Sequence, residues 1–504
     1  DASAHIAAVV DGLRTGFDPE WGGFGPAPKF PRPSLVELCL RDARSARPGG
    51  DADTARQMAH RTLDAMAAGG IYDHLEGGFA RYSTDAHWLV PHFEKMLTDQ
   101  ALLVRAYLRA WQETASPTYL QVVRETIGFV SESLSTDDGG FCSSLDADAA
   151  GVEGGHATWT PGEIRAALEA EGGGATGAGG GDLTGLAAAV SAWWGVTEHG
   201  NFEGRSILRR PLGAGLARPP EIEAARLTLL AARRRRPQPA RDGKVLTEWH
   251  AMFTAALAEA AWVCDDEAWS RRALGAAEYL FSANRRADGR WLRSAHSGVP
   301  AFAGDYAWVV ECCTWLATLT GDQGWTARAE ETAEGLLDLF WDAERGGLFT
   351  TGRDAEALVA RAKDVVDGAL PSANAAAAIA LLRLGALSGT RRWSDAGARI
   401  VELILPLAIT QPLAAADTLA AVAFDARGAE VVIPGHPTEL LDALRRRWLP
   451  DAVVAWGEPT RSPLWEGRAV GAAYVCKGFV CEEPARDVAT LEAQLDHLGA
   501  GPRR

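Results

Sequence analysis

One short pattern recurs along this chain, a glycine-rich turn followed by an aromatic residue or leucine. It reads WGGFG at Gly22, EGGFA at Gly77, DGGFC at Gly139, DGRWL at Gly289 and RGGLF at Gly346, with a weaker copy, NFEGR, at Gly204. Successive copies lie 55, 62, 65, 85 and 57 residues apart. Between them apolar residues return with helical period: Leu97, Ala101, Val104, Leu108 and Trp111 share one stripe. Trp249, Phe253, Ala256 and Ala260 form a second, and Tyr306, Val309, Cys313 and Leu316 a third. Two helices per unit of this length make a helical-hairpin repeat. Open superhelices of helical pairs repeat at roughly 33–47 residues, so the longer period and the six copies predict closure into a ring. The expected fold is all-α, an (α/α)6 barrel of six helical hairpins, with inner helices around an axis and outer helices wrapping them.

The long fourth interval holds a Pro- and Arg-rich excursion, residues 209–241, expected to loop out. The Gly-rich stretch 171–185 reads as a flexible surface loop; it follows no strand, which rules out a dinucleotide fingerprint. After residue 425 the pattern changes. AEVVIPG, TELLDALRRRW, DAVVAW and AAYVCKGFVC read as strand, helix, strand and strand. The barrel is therefore expected over residues 1–425 and a small α/β C-terminal subdomain over residues 426–504.

Charge narrows the partners. With 50 Lys and Arg against 66 Asp and Glu, the net charge is -16, a field that repels phosphate backbones. No nucleic-acid partner is expected. No apolar run approaches the ~18 residues of a membrane helix and no secretory leader opens the sequence, so no membrane partner is expected either. The chain opens at Asp1 without Met, as a piece of something longer would. Seven cysteines, an odd count without framework spacing, suit the cytoplasm. Cys476 and Cys481 would pair if a hairpin folded between them, but two buried thiols are the expectation. Trp occurs 18 times, more often than Phe at 15, and an indole face suits the apolar side of a sugar ring.

One rim of such a barrel collects the N-termini of the inner helices, whose free N–H groups favour polar and anionic ligands. Four predicted helix starts are decorated there. Pro91 reads as a first helical residue, with His92, Glu94 and Lys95 beside it. Thr247 reads as a cap before Glu248, Trp249 and His250. Asp305 precedes Tyr306 and Trp308, and Asp367 leads to Ser372 and Asn374. His92 should point into the cavity, His74 should belong to its wall, and His87 to a surface loop. SSLDADAAGVEG places Asp146, Asp148 and Glu153 in a loop suited to sugar hydroxyls, an acid–base pair or capping. Ala150 and Ala157 at its fifth and twelfth positions exclude an EF-hand. With no HExxH or CxxC, neither a metal nor another cofactor is expected.

Several of these segments resemble one family. GGIYDHLEGGFARYSTDAHWLVPHFEKMLTDQALL (69–103), FDPEWGGFGPAPKFPRP (17–33), SSLDADAAGVEG, DGKVLTEWH, GDYAW, AEALVARAKDVVDGALPSAN and YVCKGFVC are similar to the spermatogenesis-associated protein 20 family, also called YyaL-like. The resemblance covers nearly the whole chain. It implies a six-hairpin domain akin to glycosidases and N-acylglucosamine 2-epimerases, joined in the family to an N-terminal thioredoxin-like domain that this sequence lacks. A separate thioredoxin-like domain is thus an expected partner. His250 departs from the Asn that the resemblance leads one to expect.

The leading expectation is a sugar epimerase or isomerase acting on a small carbohydrate, with His92 and His250 as the acid–base pair and Glu94 or Asp305 orienting them. Trp88, Trp249 or Trp308 would supply a stacking floor, and His74, Tyr306, Asp367 and Asn374 further substrate contacts. The alternative is a glycoside hydrolase pairing Asp146 or Asp148 with Glu94 or Asp305. A third reading is a non-catalytic barrel that binds a sugar or docks a partner. A mouth plugged by the chain's own loops would favour the third; an open Trp-lined cleft would favour the first two.

Overall fold

The computed structural model describes residues 2–44, 51–172, 183–295, 297–356, 359–460 and 462–498. In chain order come α1 (Ala2–Leu13), α2 (Pro33–Arg44), α3 (Ala52–Ala68), α4 (Leu97–Thr114) and α5 (Pro117–Ser133). An excursion follows with α6 (Pro161–Gly172), α7 (Leu183–Trp193) and α8 (Pro220–Arg234). Next are α9 (Thr247–Cys264), α10 (Glu267–Ala283), α11 (Ala303–Thr320), α12 (Gly324–Phe340), α13 (Ala373–Ser388), α14 (Arg391–Thr410) and α15 (Ala416–Arg427).

Six of these close a ring. Helix α2 packs on α4, α4 on α9, α9 on α11, α11 on α13, α13 on α15, and α15 returns to α2. Each is backed by an outer helix: α3, α5, α10, α12, α14 and, behind α15, α1 from the other end of the chain. This is an (α/α)6 toroid, and its sixth hairpin is assembled from the first and last helices of the ring. Composition decides which helix goes inside. Helices α9, α11 and α13 are rich in Ala and buried on almost every face, as interior helices must be. Outer helix α10 buries one stripe, Ala273, Ala276, Ala277 and Leu280.

Five glycine turns sit where an outer helix hands back to the next inner one. Gly77 shows why the residue is required: its φ is +87°, and a Cβ there would lie 2.4 Å from the Glu125 carbonyl oxygen. The sixth copy belongs elsewhere. Gly204 lies in the excursion, and the junction from α14 to α15 runs instead through a 3-10 turn at Pro412–Ala414. Residues 209–241 also differ from expectation, because α8 packs on α6 and buries Ile222, Ala225 and Leu229 with Trp159, Ile164 and Trp194 in a second small core. Of the Gly-rich stretch, residues 173–182 lie outside the described residues, and 183–185 already belong to α7.

Beyond the ring, strand 429–434 pairs parallel with 452–457 and antiparallel with 474–477, which turns back on 480–481. Helices α16 (Thr438–Arg445) and α17 (Val488–His497) complete the subdomain. It sits over the C-terminal end of α11, where the Trp456 indole donates to the Thr318 carbonyl at 2.6 Å. Cys476 and Cys481 face each other across the antiparallel pair and form a disulfide, where buried thiols were expected. Among the described residues no helix is long and apolar enough to cross a membrane.

Candidate active site

The N-terminal ends of α2, α4 and α15 meet at one rim. Ser34, Leu35, Asp99, Leu103, Ala416 and Asp417 wall a pocket of about 280 Å³ there, together with Phe30, Arg81 and Asp367. Its lip is formed by the exposed Gly368, Ala369 and Leu413. Asp417 accepts the Ser34 hydroxyl at 2.7 Å. Asp367 accepts the Asp417 N–H at 2.8 Å and the Ser372 N–H at 2.8 Å, fixing the start of α15 to the loop before α13. Asp99 has a buried Oδ2 with no hydrogen-bond partner. Burial pushes its carboxyl up to about 7; Arg81 opposes the shift and Glu94 adds to it. Burial and the neighbouring Asp367 hold Asp417 well above the usual carboxylate range. The pocket therefore holds two carboxyls raised by their surroundings, Asp99 close to its midpoint at neutral pH.

Below the pocket, sharing Ser34 and Asp417 with it, a cavity of about 130 Å³ runs down the toroid axis. Charges alternate around it. Glu37 pairs with Arg41 at 2.8 Å and with Arg109. Glu259 takes Arg109 at 3.1 Å and Arg105 at 2.9 Å, and Glu311 takes Arg105 at 3.2 Å and Arg383 at 3.3 Å. Burial alone would raise Glu37, but Arg109, Arg41 and Arg105 outweigh it and hold it at about 2. Trp308, Trp315, Trp262 and Trp448 stand between the charges. Leu444, Trp448 and Pro450 of the C-terminal subdomain contribute to its wall.

Of the residues singled out from sequence, two line these spaces and the others lie elsewhere. Asp367 lines the rim pocket and Trp308 the axial cavity. His92 and Glu94 stand behind Arg81: Glu94 reaches Arg81 at 3.9 Å, while His92 stacks on Tyr82 and meets Glu153 at 2.9 Å. They precede the helix they were expected to open, because residues 91–92 pair as a strand with 82–83 and α4 starts at Leu97. Asp146 and Asp148 are exposed, the latter in a small hairpin with Val152–Glu153. Trp88 is buried, its indole donating to the Trp21 carbonyl, and Trp249 packs half-buried against the main core. His74 is buried with Nε2 on the Gly69 carbonyl. Asp305 is buried beside Arg293 at 2.8 Å, and burial lifts it to about 7. Thr247 is not a cap: its hydroxyl donates to the Leu292 carbonyl.

His250, Tyr306 and Asn374 share a different role. His250 accepts the Phe141 N–H on Nδ1 at 3.1 Å and, through Nε2, contacts the Ala276 carbonyl at 2.8 Å. Asn374 accepts the Leu348 N–H at 2.8 Å, Tyr306 accepts the Trp291 N–H at 3.3 Å, and Gln100 accepts the Phe79 N–H at 2.7 Å. Each clamps the residue after the glycines of a repeat turn to the start of the next inner helix. His250 and His92 are not brought together, and His250 has no ring nitrogen open to a substrate. His250→Ala, which orphans two buried backbone groups, is expected to cost roughly 2–4 kcal/mol in urea denaturation. Turnover should keep its pH profile; a shifted profile would return His250 to the chemistry.

No family model matches the chain. Curated relatives do. Spermatogenesis-associated protein 20 of Homo sapiens is 32% identical, over 96% of this chain and 68% of that protein. The rat protein of the same name gives the same figures. The chain belongs to the spermatogenesis-associated protein 20 family. Among solved structures, the cellobiose 2-epimerase of Bacillus thermoamylovorans is 10% identical with a TM-score of 0.47, covering 79% of this chain and 86% of its own. A GH76 α-mannanase of Bacteroides thetaiotaomicron is 9% identical with a TM-score of 0.41, covering 99% and 96%.

Sequence reasoning missed Ser34, Glu37, Arg41, Asp99, Arg105, Arg109, Glu259, Glu311, Arg383 and Asp417. A signal for five of them was present. Glu259, Glu311 and Arg383 are lone charges in the middle of helices that are otherwise apolar, and Arg105 and Arg109 share one face at i, i+4. A charge inside an all-buried helix needs a partner or a ligand.

Proposed function

We propose that the rim pocket is the active site of a carbohydrate-active enzyme that hydrolyses a glycosidic bond by carboxylate acid–base catalysis. The supporting observation is that Asp99 and Asp417, both raised, line one pocket. Asp417, raised by burial and by Asp367, donates its proton to the leaving glycosidic oxygen. Asp99, once ionised, takes a proton from the attacking water. Ser34 orients Asp417. Phe30, its ring 4.8 Å from that of Tyr82 and tilted against it, offers an apolar face to a sugar ring. A two-histidine epimerase has less support, since His250 has both nitrogens engaged.

Proton NMR in heavy water with a panel of disaccharides and glycosides tests this reading. New reducing-end signals with the C2 proton retained are expected. A tryptophan at Gly368, where a Cβ would meet nothing within 4 Å, should obstruct the lip and slow turnover at least tenfold. Exchange of the C2 proton would replace hydrolysis by isomerisation, and silence across the panel would sink the enzyme reading.

A further inference from the structure

The axial cavity holds one arginine that the protein engages less than its neighbours. Arg41, Arg105, Arg109 and Arg383 line it with Glu37, Glu259 and Glu311. Arg41, Arg105 and Arg109 each engage two acidic partners. Arg383 engages one. Only its Nε is used, toward Glu311 at 3.3 Å and the Thr314 hydroxyl at 3.4 Å, and its two terminal nitrogens have no partner among the described residues. The side chain is 6% exposed and lies over Trp315, 4.6 Å from the ring centroid. A second group points the same way. Trp308, 5% exposed and also lining the cavity, has an indole N–H without a hydrogen-bond partner. A buried donor left open as the Trp308 indole is costs free energy unless a ligand meets it.

We propose that the axial cavity binds an oxyanion, a carboxylate or phosphate group, carried on a single-ring polyhydroxylated molecule. Arg383 presents its terminal nitrogens to the anion as a fork, the geometry that matches both groups. Trp308 donates its N–H, and Trp315 supplies an aromatic wall. The volume, about 130 Å³, has room for the anionic group. Because Ser34 and Asp417 line both spaces, a ligand anchored here reaches toward the rim pocket. That this ligand is the acidic end of the enzyme's own substrate rests on the catalytic reading of that pocket; the binding itself does not.

The test is quenching of intrinsic tryptophan fluorescence in the full chain, titrated separately with glucuronate, glucose 6-phosphate and glucose. One or both anions should bind at least tenfold tighter than glucose, and whichever binds names the group as carboxylate or phosphate. Arg383→Gln should weaken that binding at least tenfold, and Arg383→Lys should recover part of it. Anions no tighter than glucose would overturn the proposal, as would an Arg383→Gln protein with wild-type melting and wild-type affinity. If Arg383→Gln does not fold, the wild-type discrimination decides alone. Asp99→Asn should bind the anion as wild type does; anion binding without turnover of any glycoside would sink the catalytic reading and leave this one standing.

Discussion

Glu259→Ala is expected to destabilise the protein by about 3–5 kcal/mol, the range for removing one member of a buried charge network. The carboxylate is 2% exposed on α9 and receives three nitrogens, Arg105 Nε at 2.9 Å and Arg109 Nε and Nη2 at 3.1 and 3.3 Å. Its removal leaves two guanidinium groups facing each other in a space that water cannot freely fill. Glu37 and Glu311 would each still hold one of them, so the loss should stop short of unfolding the ring. Urea denaturation reads the effect. Removing Arg109 as well, as in Glu259→Ala with Arg109→Met, should restore part of the loss, because the double change takes out a pair rather than orphaning a charge. A single-variant effect below about 1 kcal/mol would mean that the cavity is hydrated enough to solvate both arginines.

The network also shows where the sequence could be read and where it could not. The turns were legible because Gly77 has a local requirement, a positive φ and no room for a Cβ, that survives without knowledge of the fold. Ring closure was legible as a count, yet the count included Gly204, which mimics a junction inside the excursion. Pro91 misled for a definite reason: proline suits a first helical turn and a short edge strand equally, and the structure uses the strand. The polar residues at helix starts were found, but not their direction. From sequence, His250 and Asn374 are near a rim; only packing shows that they turn back to the preceding glycine turn rather than toward the axis. Asp417 and Ser34 lie 383 residues apart and meet because α15 closes on α2. No local pattern encodes that contact, so the pocket it builds was invisible.

Asp99→Asn is expected to cut turnover sharply while making the protein more stable, a combination a merely structural residue would not produce. A carboxyl moved from its ordinary value near 4 to about 7 penalises the folded state once the unfolded chain can ionise. The sign follows from the raised value. Below about pH 4 both states hold the proton and the penalty is absent. Between about pH 4 and 7 the unfolded chain releases the proton and the folded one keeps it, so stability falls as pH rises. Above about 7 the full penalty stands, on the order of 4 kcal/mol. Asn does not titrate, so its advantage over Asp in urea denaturation should be near zero at pH 4 and reach that order at pH 8. Activity should move the other way. The wild-type rate should rise as pH climbs through about 7 and Asp99 ionises. The variant should lose roughly 10²–10⁴ in rate, the contribution of a positioned base. Equal stability of the two proteins at pH 8 would mean that Asp99 is solvated and ionises freely, and the base would then have to be sought elsewhere. A stabilised variant with full turnover would separate the strain at Asp99 from the chemistry altogether.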